Sequence, residues 1–295
     1  MKKIIYDLLV DLYYLLLENV FSYISDEIFI KCQYFIFTHK RLNIKNPVSY
    51  NEKIQWLKLY DRRPEYSSLA DKYEVKRIAS SVLGKEHIIP TIGIYNSFND
   101  IDFDVLPEKF VMKSTHDSGG IVICQDKSKL DINKTKKFLN KHLKRNYYWH
   151  SREWAYKNIK PRIIIEPYMV DDSETELKDY KIFCFDGVAK LIQVDYGRFK
   201  KHMRNLYTTD WRYLAAQIKY PKNSEHQIEK PSCLEELIRC AEKMSAGLIH
   251  ARVDFYIINN IPILGEVTLN HGSGYEKFTP EEFGIEMGSF MHLRK

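Results

Sequence analysis

The chain has 295 residues, 44% hydrophobic and 28% charged. That is the balance of a soluble globular protein long enough for about two compact domains, and it excludes a disordered or low-complexity chain. The net charge of +6 favours an anionic partner without choosing among ATP, an acidic glycan, a membrane surface and nucleic acid. Five cysteines, Cys32, Cys124, Cys184, Cys233 and Cys240, are odd in number and lack C-x-x-C spacing. Neither a disulfide framework nor a zinc site is indicated, and a reducing cytoplasm fits best.

Residues 4–24 are apolar enough to imitate a targeting segment, but Asp7, Asp11 and Glu18 interrupt them and no small-residue cleavage site follows. The pattern predicts an amphipathic helix packed on the rest of the protein. The alternative is peripheral docking, which would put a cytoplasmic chain at the inner face of the membrane; the acidic polar face argues against it. A second helix starts near Ser25-Asp26-Glu27, and a third over Ser49 to Leu59 opens with a Ser-x-x-Glu box. Asp71 to Leu83, closed by Gly84, reads as a further helix whose Lys72, Lys76 and Arg77 are ordinary surface charges by pattern alone.

From Ile88 the pattern turns to strands: IIPTIGIY, EKFVMKS and GGIVIC. The loop Thr115 to Gly120 joins strand to strand, so a Walker or Rossmann glycine loop, each of which opens a helix, is excluded. A hairpin loop folding over phosphates, with Lys113 at its entrance, and a plain tight turn both remain. Asp102-Phe103-Asp104 has the form of a glycosyltransferase D-x-D motif, but no hydrophobic strand precedes it. Asp131 caps a basic helix to about Asn146, with Ile132, Phe138, Leu139 and Leu143 inward. Behind it Tyr147, Tyr148, Trp149, Trp154 and Tyr156 suit a core or, beside basic charge, an acidic sugar chain or single-stranded nucleic acid.

Arg162 to Glu166 reads as a buried strand ended by Pro167. Asp179 to Asp195 reads as a hairpin turning at Asp186-Gly187. A two-residue turn there puts Lys181 across from Ile192, a setting in which an unpaired ammonium is costly and a phosphate would hold its charge. Ser232 to Met244 is an apolar-periodic helix. It leads into Ile249 to Gly274, where Ala251–Ile258 and Pro262–Leu269 alternate with period two. Val253, Phe255, Ile257, Ile263, Val267 and Leu269 make one face; Arg252, Asp254, Glu266, Thr268 and Asn270 make the other. Keeping the faces unmixed requires an odd turn, so the expectation is a three-residue loop, Asn259 to Ile261, with Asp254 opposite Glu266. Two carboxylates that close repel unless a divalent cation joins them; otherwise they solvate an exposed edge.

Arg252-Val253-Asp254-Phe255 followed by Gly265-Glu266-Val267-Thr268 resembles the C-terminal metal-binding signature of ATP-grasp enzymes. From about Pro47 onward the chain resembles the TupA-like ATP-grasp family of teichuronopeptide and other bacterial surface polysaccharide biosynthesis. The resemblance rests on the order of Asn51-Glu52-Lys53 with Trp56, Asp71-Lys72-Tyr73, Lys113 with Ser118-Gly119-Gly120, Glu166-Pro167-Tyr168 and Asp179-Tyr180-Lys181. It implies an α+β ATP-grasp fold, two α+β subdomains clasping ATP behind a helical N-terminal extension. The divisions are 1–90, helical; 91–175, the lid with glycine loop and adenine hinge; and 176–295, with the metal hairpin.

The resemblance also implies roles. Lys72, Lys113 and Lys181 would hold the triphosphate under Ser118, Gly119 and Gly120. The backbone of Glu166, Tyr168 and Met169 would meet adenine, since Pro167 has no N–H. Asp171, Asp172 or Glu174 would reach the ribose. Asp254 and Glu266 would hold Mg²⁺ with Asn270 favoured over Thr268 as the third ligand. Arg252 would stabilise an oxyanion, and Arg198 would bind a carboxylate or phosphate. The implied reaction is ATP-dependent amide formation through an acyl phosphate, joining an amino acid or other amine to a uronic acid of a surface glycan or its precursor. A sugar kinase on the same site and a glycosyltransferase are the alternatives. Nucleic acid is not expected as a partner.

Overall fold

The computed structural model describes residues 13, 16–170, 177–197 and 202–294. Most of the expected helix over residues 4–24 lies outside them, as do Arg198 and the ribose candidates Asp171, Asp172 and Glu174. Among the described residues no helix is long and apolar enough to cross a membrane.

Local chemistry accounts for the first helices. Ser25 caps α1 (Asp26–Thr38). A complete capping box between Ser49 and Glu52 starts α2 (Tyr50–Tyr60). The helix expected over Asp71 to Leu83 is instead two, α3 (Tyr66–Ala70) and α4 (Glu74–Val82). Asp71 makes the break: its backbone is extended, and its carboxylate accepts from the Tyr73 amide at 2.8 Å. That side chain competes with the helix for the backbone, as aspartate does at helix starts.

β1 (Gly93–Tyr95), β2 (Phe110–Ser114), β3 (Ile121–Cys124) and, after α5 (Ile132–Leu143) and α6 (Tyr148–Ser151), β4 (Ile163–Pro167) form an antiparallel sheet in the order β1-β4-β2-β3. On α5, Thr135, Leu139 and His142 are buried, whereas Ile132, expected inward, is the first residue of the helix and is exposed. The second sheet runs β11-β10-β5-β6-β7-β8. Its strands are β5 (Asp179–Phe185), β6 (Val188–Tyr196), β7 (Met203–Tyr207), β8 (Tyr213–Leu214), β10 (His250–Ile258) and β11 (Ile261–Thr268). The small pair β9 (Gln217–Ile218) and β12 (Phe278–Thr279), with α7 (Leu234–Ser245) and α8 (Glu281–Ser289), completes the chain.

Both faces of this sheet are covered. Ile182, Ile192, Val253, Phe255 and Leu264 pack with Leu237 and Ala241 of α7 and Val75 and Ala79 of α4. On the other face Phe183, Phe185, Leu191 and Leu206 pack with Tyr50 and Ile54 of α2 and Phe283 and Met287 of α8. Each large side chain so buried contributes about 2 kcal/mol of transfer free energy. Farther along that second face the apolar run gives way to Lys181, Gln193, Asp195, Arg252 and Asp254, all buried.

Both long hairpins correct the expected registers by the same device. Asn259 and Asn260 form a two-residue turn, both at positive φ, and Ile258 pairs Ile261, so the expected three-residue loop is absent. Asp254 nevertheless pairs Glu266, because a bulge leaves Gly265 unpaired between Glu266 and Leu264. The odd residue that parity demands sits inside the strand rather than in the turn. In consequence Leu264, not Ile263, shares the Phe255 face. In the β5–β6 hairpin Asp186-Gly187 turns as expected, but a bulge at Lys190 places Lys181 opposite Gln193 rather than Ile192.

Candidate active site

The polar face of the second sheet follows from that register. Asp254 neighbours Lys181 on one side and Glu266 on the other. Lys181 Nζ lies 2.5 Å from Asp254 Oδ2 and 3.1 Å from Asp179 Oδ2. The ammonium expected to be unpaired is held between two carboxylates. Arg252 grips Asp254 through both oxygens at 2.7 Å and reaches Glu266 Oε1 at 3.2 Å and Thr268 Oγ1 at 3.0 Å. Burial pushes the Asp254 carboxyl up, but Arg252 and Lys181 outweigh it and bring its pKa down to about 2. Asp254 is therefore ionised at neutral pH. Glu266, by contrast, has a side chain 44% exposed.

The first sheet supplies the opposite wall. Glu166 is buried in β4, and its carboxylate bridges Lys113, at 2.6 Å, and Lys76. Burial pushes this carboxyl up, and the two ammonium groups outweigh it, holding the pKa below the usual range. Lys76 is thus no solvated surface lysine; it also donates to the Ile89 carbonyl at 2.7 Å. Lys72 sits in the break between α3 and α4. Its amide donates to Thr115 O, and its Nζ to Asp117 O at 2.5 Å, tying it to the glycine loop. Asp117 is bonded to Ser114 and to His142 of α5, which anchors the loop base while Ser118 and Gly119 stand exposed at the tip. A Cβ on Gly120 would strike Ser114 Oγ, so only glycine fits there.

Two cavities lie between these walls. The smaller, about 270 Å³, is lined by Lys72, Lys113, Lys181, Glu166, Tyr168, Met169, Asp254 and Glu266, with Ile121 and Ile123 on one side. Its apolar strip and cluster of cations suit a flat base with a phosphate tail. The larger, about 660 Å³, is lined by Ser118, Gly119, Arg252, Thr268 and Asn270, by the rings of Phe37, Tyr147, Tyr156 and Tyr275, and by Lys219, Lys277, Glu153 and Glu276. Lys72, Ile121 and Glu266 line both. Asp102 and Asp104 are exposed and line neither cavity.

The family described as TupA-like ATPgrasp matches residues 52–292. The chain belongs to the TupA-like ATP-grasp family. Several solved ligases match part of the chain. A D-alanine–D-alanine ligase from Bacillus anthracis complexed with ATP is 18% identical, with 68% of this chain and 54% of that one covered and a TM-score of 0.41. The Helicobacter pylori D-alanine–D-alanine ligase is 18% identical, with 82% and 69% covered and a TM-score of 0.42. Phosphoribosylamine–glycine ligase from Thermotoga maritima is 12% identical, with 71% and 51% covered and a TM-score of 0.42. The chain thus spans little more than half the length of the Bacillus anthracis ligase. No protein of curated function matches the sequence.

In this ATP-grasp chain the structure brings Lys72, Lys113, Lys181, Glu166, Tyr168, Met169, Asp254 and Glu266 to one cavity, and Ser118, Gly119, Arg252 and Asn270 to its neighbour. Gly120 is buried behind the loop tip. For a cation, Asp254, Glu266 and Asn270 offer only oxygen donors, the hard set that Mg²⁺ takes, and Glu266 is open to solvent. Sequence reading took Lys76 for a surface charge and passed over Glu153, Arg204, Lys219 and Glu276. Arg204 forks onto Asp195 at 2.7 and 3.1 Å and meets Glu276 at 3.2 Å, beside His271 and Lys219. A signal existed only for Arg204, which alternates with Leu206 along β7; the rest come from loops and a helix face that only the fold assembles.

Proposed function

We propose that the chain is an ATP-dependent carboxylate–amine ligase working through an acyl phosphate. The observation that carries this reading is the shared lining: with Lys72, Ile121 and Glu266 common to both cavities, a nucleotide in the smaller one presents its phosphates to an acceptor in the larger. An acceptor carboxylate oxygen would bond to the γ-phosphorus as ADP leaves. The amine nitrogen would then bond to the acyl carbon as inorganic phosphate leaves, and the product amide gives up a proton.

In this reading Lys72, Lys113 and Lys181 hold the triphosphate, and Ser118, Gly119 and Gly120 close over it. The backbone of Glu166, Tyr168 and Met169 meets adenine. Asp254, Glu266 and Asn270 hold Mg²⁺, which when bound offsets the charge of the phosphate oxygens. Arg252, kept in place by Asp254, stabilises the oxyanion formed as the amine attacks; loss of one such donor typically costs about 10²- to 10³-fold in rate. Arg198 keeps the anion-binding role that the family resemblance gives it. For the acceptor, Lys219 and Lys277 supply positive charge and Phe37, Tyr147, Tyr156 and Tyr275 supply flat faces. That combination suits an acidic sugar, and we read the acceptor as a uronic acid of a surface polysaccharide or its precursor, joined to an amino acid or other amine.

The test is ³¹P NMR of the protein with Mg-ATP, a uronic acid pool and mixed amino acids. ADP and phosphate that appear only when acid and amine are both present support the ligase. A new phosphomonoester signal would instead make the same site a kinase, and failure to bind ATP would overturn the reading of the smaller cavity.

A further inference from the structure

Behind the second sheet, on the α7 side and away from both cavities, three metal-ligating side chains meet from separate parts of the chain. His87 closes the turn Lys85–His87, and Glu236 and Cys240 stand one helical turn apart on α7. One ligand atom from each lies within 4.8 Å of the others. Glu236 Oε1 is 3.4 Å from His87 Nε2 and 4.0 Å from Cys240 Sγ. Tetrahedral zinc, with bonds of about 2.0–2.3 Å, sets its ligand atoms roughly 3.3–3.8 Å apart. Cys240 Sγ lies 4.0 Å from His87 Nδ1, so closing on one ion requires the thiolate to turn toward the Nε2 side, within the 4.8 Å that bounds the group.

The histidine is already oriented for ligation. Its Nδ1 lies 2.7 Å from the Pro262 carbonyl oxygen. A carbonyl only accepts, so Nδ1 carries the proton and Nε2 keeps its lone pair on the side of Glu236, the arrangement that fixes ligating histidines elsewhere. His87 and Cys240 are buried, while Glu236 is half-open to solvent. A donor set of sulfur, nitrogen and oxygen selects a zinc-class ion over magnesium. Spacing along the sequence hid this group, because His87 is remote from α7 and the two α7 ligands are not a C-x-x-C pair.

We propose that His87, Glu236 and Cys240 bind a zinc-class divalent cation, with water in the fourth position on the open side. The Cys240 thiol loses its proton to solvent as the metal–sulfur bond forms. Because His87 is bonded to Pro262, and Ile88 bridges to Leu264, a cation here would brace β11 from behind, next to the Gly265 bulge that sets Glu266. None of the three ligands lines either cavity, so cation binding here stands whether or not the ATP reading does.

The test is titration of the reduced full-length chain with Co²⁺ alone, followed by competition with Zn²⁺. One equivalent of Co²⁺ should produce a thiolate-to-cobalt charge-transfer absorption that Zn²⁺ abolishes. Cys240→Ser should remove the band, and Glu236→Gln, at the exposed ligand, should weaken Co²⁺ binding about 100-fold with unchanged far-ultraviolet circular dichroism. Glu266→Gln should leave the band intact, separating this site from the cleft. Absence of the band at one equivalent, or its survival in Cys240→Ser, overturns the proposal.

Discussion

Lys181 and Asp254 are direct neighbours on adjacent strands, joined at 2.5 Å although 73 residues separate them in sequence. The pair links the β5–β6 hairpin to the β10–β11 hairpin, and it puts a buried positive charge beside the carboxylates that face the smaller cavity. Removing Asp254 leaves Lys181 to Asp179 alone and Arg252 to Glu266 and Thr268; breaking a buried pair typically costs up to about 3–5 kcal/mol. Asp254→Asn should therefore lower the free energy of unfolding by that order, read from urea titration, and abolish ATP turnover. Asp104→Asn, in an exposed turn, should change neither; equal losses in both variants would remove Asp254 from the site.

The same carboxylate sets an acid limit. With its pKa brought down to about 2, below the unfolded value, Asp254 contributes stability that is complete above about pH 4 and is lost as pH falls toward 2. The contribution is roughly 2 kcal/mol. Urea titrations at pH 5 and pH 2.5 should reveal that decline, and it should be shallower in Asp254→Asn.

Lys58 predicts the opposite slope. It is fully buried, bonded to Ser273 O and Gln55 Oε1, and burial lowers its pKa to about 7. Between pH 7 and 9 the unfolded chain binds more protons at this site than the folded one, so folding stability rises with pH, by roughly 2 kcal/mol. Lys58→Met should flatten the profile over that window; an unchanged slope would mean that the ammonium is not desolvated.

Glu166→Gln keeps the shape of β4 but deprives Lys76 and Lys113 of their shared carboxylate. Hydrogen bonds to charged groups are worth about 1.5–3 kcal/mol. We expect ATP affinity to fall about 10-fold or more as the two lysines lose their orientation, measured by calorimetry. If affinity rises instead, Glu166 restrains the lysines rather than presenting them.

Gly265→Ala tests the bulge. A Cβ there would meet the Asp254 carbonyl and the Tyr256 ring at 3.3 Å. Overpacking of this kind costs about 1–3 kcal/mol, and the strain falls next to Glu266. The variant should melt earlier and lose Mg-ATP turnover more than ATP binding. Unchanged turnover would show that Glu266 need not be held by the bulge.

The sequence by itself determined most of the elements and, around Asp254 and Glu266, the polar face; it missed the helix break at Asp71 and put Ile263 on the face that Leu264 takes. Capping chemistry at Ser49 and Glu52, the Asp186-Gly187 turn and period-two alternation around Asp254 and Glu266 are local, so they are legible without the fold. Short-range pattern also put Asp254 opposite Glu266, because the buried face tolerates only one parity. Only tertiary structure decided how that parity is met. The bulges at Gly265 and Lys190 add one residue each to a strand, and a strand carries no mark of where its odd residue lies until its neighbour is in place. The same holds for charge. Lys76 and Lys181 look like surface or orphan ammonium groups in one dimension, since their partners Glu166 and Asp254 lie on strands remote in sequence. The larger cavity and the His87–Glu236–Cys240 group are likewise long-range products, made where loops, helix and sheet converge and so absent from any spacing along the chain.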